Sequence, residues 1–225
     1  MVPEGFDTSN PMNRHVTTDE RSICFAEMTP EEFCIDDVPH ALSKICRYNG
    51  LINRFYSVAQ HSVLVCELAE ATYGKGRISE AALMHDAVEA YLGDISRPFK
   101  ALLPDYMRIE QHVENAIKTA CDLPPDPAVW KEVKRFDVMA LFIEANHVLL
   151  YDYSWIKPKD PLWKKSQQAH KLAEGFEMLP DEAHRLMVNK LRDYGYDLKD
   201  VASPGQRRRK PVISHDPRHT NPGLM

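Results

Sequence analysis

Ala81-Ala82-Leu83-Met84-His85-Asp86-Ala87-Val88-Glu89-Ala90-Tyr91-Leu92-Gly93 is the stretch whose reading decides the fold. Its helix formers and its apolar spacing predict a helix over 79–92, with Ser79 as N-cap and Gly93 closing it. Outward from there the same periodicity continues. Helices are expected over 38–48, stopped by Asn49-Gly50, and over 56–73, ending before Gly74-Lys75-Gly76. Pro104 and Asp105 open another that reaches about 121, after which Pro124, Pro125 and Pro127 break the chain. The longest covers 128–150, and two more follow at 162–178 and 180–193. A short strand pair within 22–35 is the one β feature expected. The sequence therefore reads as one all-α domain over 37–200, with an N-terminal extension over 1–36 and a polar tail over 201–225.

Composition narrows the class. A chain of 225 residues, 44% hydrophobic and 27% charged, holds one large or two small folded domains and is not disordered throughout. It has no run of 18 apolar residues, so no membrane partner is expected. Residues 1–18 are polar and lack the basic start and apolar stretch of a signal peptide. The five cysteines are scattered without a C-x-x-C pair, which argues against a disulfide scaffold or cysteine-rich zinc module and points to a reducing cytoplasm. A net charge of −5 counts against nucleic acid as the main partner. The run Arg207-Arg208-Arg209-Lys210 in the proline-bearing tail reads as a nucleic-acid- or phosphate-binding arm or, more commonly for such tails, a solvated terminus.

Three places in the helical pattern hold polar groups where apolar ones are expected. His61 has Ser57, Val58, Leu64 and Val65 as helical neighbours, so it faces the core. His85-Asp86 interrupts an apolar run, and Asp137 lies among Val133, Ala140 and Leu141. A lone core histidine is usually satisfied by a carbonyl. A buried carboxylate is harder to accommodate, because an ionised one costs several kcal/mol unless it is paired or binds a metal. Together the two histidines and two aspartates form a nitrogen–oxygen ligand set suited to Zn, Mn, Co or Fe, with Mg tolerated by the oxygens. Helical neighbours point about 100° apart, so His85 and Asp86 reach one ion only by straddling it.

The order His61, His85-Asp86, Asp137 resembles the signature of the HD-domain metal-dependent phosphohydrolases. Longer words carry the likeness further: Ile45-Cys46-Arg47-Tyr48, Phe55-Tyr56-Ser57-Val58-Ala59-Gln60-His61-Ser62, and His85-Asp86 through Gly93-Asp94-Ile95-Ser96-Arg97-Pro98. They are similar to the branch of bacterial 5′-deoxynucleotidases and phage deoxynucleoside triphosphate hydrolases, over about residues 37–152. The resemblance implies an HD-domain helical bundle with additional C-terminal helices, and His61, His85, Asp86 and Asp137 as ligands of a divalent metal, with Mg as a possible second ion. It implies that Glu89, on the helical face of His85 and Asp86, serves acid–base chemistry or a second metal, and that Asp94 is a second catalytic acid. It implies that Arg47, on the first helix, contacts substrate phosphate. Tyr48 stands where many relatives carry tryptophan or phenylalanine, which puts a stacking role there in doubt. Arg97 and Lys100, after the turn at Asp94, suit phosphate as a planar fork and a point charge, or are plain surface charges. The expected substrate is a nucleotide, a deoxynucleoside triphosphate first and a deoxynucleoside monophosphate second; a nucleotide-binding module without turnover is the reading from another class. A homo-oligomer is implied by the resemblance alone. Glu144 and His147, near the face of Asp137, read as outer groups or a structural pair and stay outside the expected site.

Overall fold

A computed structural model of the chain describes residues 5–149 and 178–199. Among them are eight α-helices: α1 Asp37–Leu42, α2 Val58–Tyr73, α3 Arg77–Leu83, α4 Glu89–Leu92, α5 Arg97–Lys100, α6 Pro104–Ala120, α7 Pro127–His147 and α8 Pro180–Asp193. Three short 3-10 helices (Pro11–Asn13, Pro30–Glu32 and Arg47–Gly50) and one two-stranded antiparallel ribbon, β1 His15–Val16 with β2 Ser22–Ile23, complete the regular structure of the described residues. The fold is all-α, as expected.

The centre of the molecule is α2. Ser57 caps it by accepting from Gln60 N at 3.2 Å, while the Gln60 side chain returns to Ser57 N at 2.9 Å, and Gly74 at φ 78° ends it. Nearly every residue from Val58 to Ala69 is buried, on all faces of the helix. A helix apolar all round must be covered on all sides. One core cluster joins one side of α2 to α1, α6 and α8 through residues such as Val38, Leu42, Val63, Ile117 and Met187. A second joins its other side to α3 and α7 through Leu68, Ala82, Phe136, Met139 and Ile143. Each fully buried aliphatic or aromatic side chain contributes about 1.5–3 kcal/mol of burial free energy.

The outer helices are amphipathic. In α8, Ala183, Met187 and Leu191 repeat at every fourth residue and are buried against α1 and α2. A polar seam fastens the same helix: Lys190 Nζ lies 2.8 Å from Glu70, and Tyr194 OH lies 2.7 Å from Glu70 and 2.6 Å from Ser79 Oγ.

Several boundaries depart from the sequence reading, for physical reasons. The first helix stops at Leu42, because Cys46 is extended and forms a bridge with Ser57. Arg47 therefore opens a short 3-10 turn, Arg47–Gly50, and is not part of an α-helix. Ser79 lies inside α3, where its hydroxyl accepts from Gly76 N at 2.9 Å, so the helix begins two residues before it. The stretch expected as one helix over 79–92 is two, α3 and α4, joined by turns over 84–88. The strand pair uses 15–16 with 22–23, reaching only the edge of the expected span. Pro127 opens α7, with Asp126 as its N-cap accepting from Ala128 N at 2.8 Å. The helix expected at 162–178 and the polar tail lie outside the described residues.

Candidate metal centre

His61 is the anchor. It projects from α2 and is wholly buried. Its two ring nitrogens meet two carboxylates of α7: Nδ1 lies 2.6 Å from Glu144 Oε1, and Nε2 lies 3.3 Å from Asp137 Oδ1. Asp137 and Glu144 are seven residues apart, two helical turns, so one face of α7 presents both.

His85 and Asp86 come from the turns between α3 and α4. Successive i+3 hydrogen bonds (Ala87 N to Met84 O, Glu89 N to Asp86 O) replace the α-helical pattern there. This resolves the difficulty of adjacent residues on a helix, since the turns direct both side chains to one place. His85 Nε2 lies 3.1 Å from Asp86 Oδ2 and 3.3 Å from His61 Nε2, and Asp86 Oδ2 lies 3.4 Å from His61 Nε2. His85 Nδ1 donates to Ala82 O at 2.7 Å. Ligand atoms of His61, His85 and Asp86 all fall within 4.8 Å of one another, a group able to hold a metal ion. Asp137 reaches the group from the far side and also pairs with Lys134.

The donor set fits a cation. Each imidazole offers its Nδ1 to an acceptor, which leaves the two Nε2 atoms facing one another and facing carboxylate oxygens. Such an arrangement asks for positive charge. Burial and the Arg47 guanidinium act to lower the His61 pKa, yet Glu144 and Asp137 outweigh them and hold it up at about 9. Burial opposes ionisation of Asp86 and Asp137 too, but His85 and His61 beside Asp86, and His61 beside Asp137, keep both carboxyls well below the usual range. Glu144 is drawn down to about 2 against its burial, chiefly by Arg47 and His61.

A cavity of about 560 Å³ opens beside the cluster. Arg47, Tyr48, Glu89, Asp94, Arg97 and Lys100 all line it, together with Asp86 and Asp137. The structure thus brings every expected site residue together, with His61 and His85 set behind the cavity wall. Glu89 begins α4, so it meets Asp86 through the turn and not along a shared helical face. Its carboxyl is buried, Oε2 has no hydrogen-bond partner, and Oε1 lies 3.8 Å from Lys100 Nζ. Burial, then Asp86 and Asp94, push its pKa well up. Burial raises that of Asp94 also. Lys100 is held at 2.5 Å by Glu110. Arg47 pairs with Glu144 at 3.1 Å and approaches Asp86 at 3.9 Å, while its Nε is buried and has no hydrogen-bond partner.

Glu144 is the principal residue that sequence reasoning left out. It carried a signal, a lone acid within the apolar run from Ala140 to Ala145, two turns from Asp137. Lys134, Val138 and Leu141 also line the cavity, at helical spacing along α7, and were not singled out.

Comparison with known proteins finds two similar chains, both named only as uncharacterized proteins. YfdR of Escherichia coli (strain K12) is 38% identical over 131 residues, covering 58% of this chain and 70% of its own. RCAP_rcc00048 of Rhodobacter capsulatus is 35% identical over 136 residues, covering 57% of this chain and 69% of its own. No family model matches the chain.

Proposed function

Since the chain belongs to the family of Escherichia coli YfdR, whose name carries no activity, we propose a function from the site itself: a metal-dependent phosphohydrolase of deoxynucleotides, of the HD-domain type. One observation carries this reading. Two imidazole nitrogens and the Asp86 carboxylate converge, with Asp137 reaching the same His61 Nε2, at the wall of a cavity that also holds Arg47, Arg97, Lys100 and Lys134.

His61, His85, Asp86 and Asp137 would hold a divalent Zn, Mn, Co or Fe ion. When bound, such an ion lowers the pKa of water toward neutrality and polarises a phosphoryl oxygen. The chain supplies the rest. The Arg47 and Arg97 guanidinium groups bind the oxygens of the α-phosphate and offset charge as the P–O bond to the 5′ oxygen breaks. Asp94 accepts a proton from the attacking water, and its raised pKa makes it a better base near neutrality. Glu89 keeps its proton and delivers it to the departing 5′ oxygen. Val138 and Leu141 form an apolar wall against which a base can lie.

The substrate's phosphate count separates two readings. A triphosphate would draw on Arg47, Arg97 and Lys100 together, releasing nucleoside and tripolyphosphate. Yet Lys100 is paired with Glu110 and Arg47 with Glu144, which favours the less charged deoxynucleoside monophosphate. The test is product analysis with dNTPs, dNMPs, NTPs and NMPs on chelator-stripped protein reloaded with Mn, Co, Zn or Mg. Tripolyphosphate identifies a triphosphohydrolase, and orthophosphate from dNMPs a 5′-deoxynucleotidase. Nucleotide binding without turnover under any metal, or an Asp86→Ala variant with unchanged metal content and turnover, refutes the proposal.

A further inference from the structure

Glu144 faces in two directions. Its Oε1 takes His61 Nδ1 at 2.6 Å, and its Oε2 takes both the Tyr48 hydroxyl at 2.5 Å and Arg47 Nη2 at 3.1 Å. The carboxylate is fully buried, so these donors replace its water. Because an ionised carboxylate only accepts, all three partners must donate to it. His61 therefore carries a hydrogen on Nδ1, which leaves Nε2 as the atom it can turn to a cation in the cluster.

The turn on the other side is itself constrained. Tyr48, Asn49 and Gly50 are consecutive left-handed residues at φ 57°, 53° and 74°. For tyrosine that conformation costs about 1–2 kcal/mol, and surrounding contacts must hold it. The main chain contributes Arg47 N to Tyr56 O at 2.9 Å and Leu51 N to Tyr48 O at 3.0 Å. The side chains contribute through Glu144, through the Arg47 guanidinium, which lies over the Tyr48 ring at 5.1 Å, and through packing of that ring against the second core cluster. Arg47 Nη1 also leans to Asp86 Oδ2, an oxygen that faces the cluster.

We infer that Glu144 is a positioning residue that couples metal binding at the His61–His85–Asp86 cluster to the setting of the Arg47–Tyr48 turn, which lines the cavity. The inference rests on the metal-centre reading above. A cation in the cluster takes up the Asp86 oxygen that otherwise attracts Arg47, while Glu144 keeps the guanidinium and the tyrosine ring in place. Tyr48 thereby supports the metal through Glu144, although it is no ligand. Coupling of this kind is reciprocal, so whatever orders the turn also favours the loaded cluster.

The test uses the full chain without nucleotide or phosphate. Mn²⁺ affinity is measured by chelator competition in wild type, Tyr48→Phe, Glu144→Gln and the double variant, with circular dichroism confirming the fold. Glu144→Gln is expected to weaken Mn²⁺ about 10- to 100-fold, the usual effect of losing a ligand's orienting partner. Tyr48→Phe keeps the ring and removes one hydrogen bond to a charged acceptor, and a loss of about threefold or more is expected. In the Glu144→Gln background the Tyr48→Phe change should add nothing, since its route is gone. Tyr48→Phe with wild-type affinity overturns the inference on its own, even where Glu144→Gln fails to fold. Fully additive losses also overturn it. A wild-type protein that binds neither Mn²⁺ nor Zn²⁺ or Co²⁺ defeats the metal-centre reading, and this inference with it.

Discussion

Replacing Glu89 with glutamine keeps the shape of the side chain and removes its charge. In the folded protein this carboxyl is buried, has one oxygen without a hydrogen-bond partner, and faces Asp86 and Asp94, with Lys100 opposing them at 3.8 Å. Its folded pKa is therefore raised. Unfolded, it titrates near the ordinary glutamate value of about 4.3. Below that value both states are protonated and the stability it contributes is fully present. As pH rises, the unfolded chain releases the proton while the folded one retains it. Stability is then lost at about 1.4 kcal/mol per pH unit until the folded pKa is passed. Glu89→Gln escapes this loss. On chelator-treated protein, the unfolding free energies of variant and wild type should run together at pH 4. Between pH 5 and 6 the variant should gain by about 1.4 kcal/mol, or roughly 3–6 °C in melting temperature for a chain of this size. Urea titrations and thermal scans at half-unit pH steps measure the gap. Parallel curves across pH 4–7 would refute the reasoning, because they would mean that the Glu89 carboxyl titrates alike in both states. The variant should also lose turnover, having no proton to deliver to the leaving oxygen.

A saturating metal should stabilise the fold by about 2.7 kcal/mol at a hundred times its dissociation constant, and His61→Ala should abolish the shift in a thermal scan. Met187→Ala on α8, remote from the cluster, should cost about 2–5 kcal/mol in urea titrations and leave Mn²⁺ affinity at 25 °C unchanged. Lys100→Met should leave KM for a deoxynucleoside monophosphate nearly unchanged, since Lys100 is paired with Glu110; a large rise in KM for a triphosphate would instead assign Lys100 to phosphate binding and favour the triphosphate reading.

The elements most legible in the sequence are those that carry their own end signals. Helix α2 lies between Ser57 and Gly74, and α6 opens at Pro104, close to where local chemistry places them. Where a long-range contact decides, local reading fails. The apolar spacing of Ile45 and Tyr48 continues a helix on paper, but the bridge from Cys46 to Ser57 requires extended chain. Helix formers surround His85-Asp86, so propensity hides the turns that aim both side chains at one point. For the candidate site, polar residues in apolar runs pointed to His61, Asp86 and Asp137, since burying such groups has to be compensated. Glu144 was passed over because the compensation lies 83 residues away at His61, a distance that no local periodicity spans.

Helix α8 carries a genetic consequence. Helix α8 covers one side of α2, filling the core with Ala183, Met187 and Leu191 and closing the seam at Glu70 and Ser79, although every expected site residue precedes it in the chain. A premature stop between codons 145 and 180 would leave the whole site encoded, yet strip that flank of the central helix bare. Nonsense alleles within that window should therefore behave as nulls cleared by proteolysis, while missense changes on the outer face of α8 should pass unnoticed.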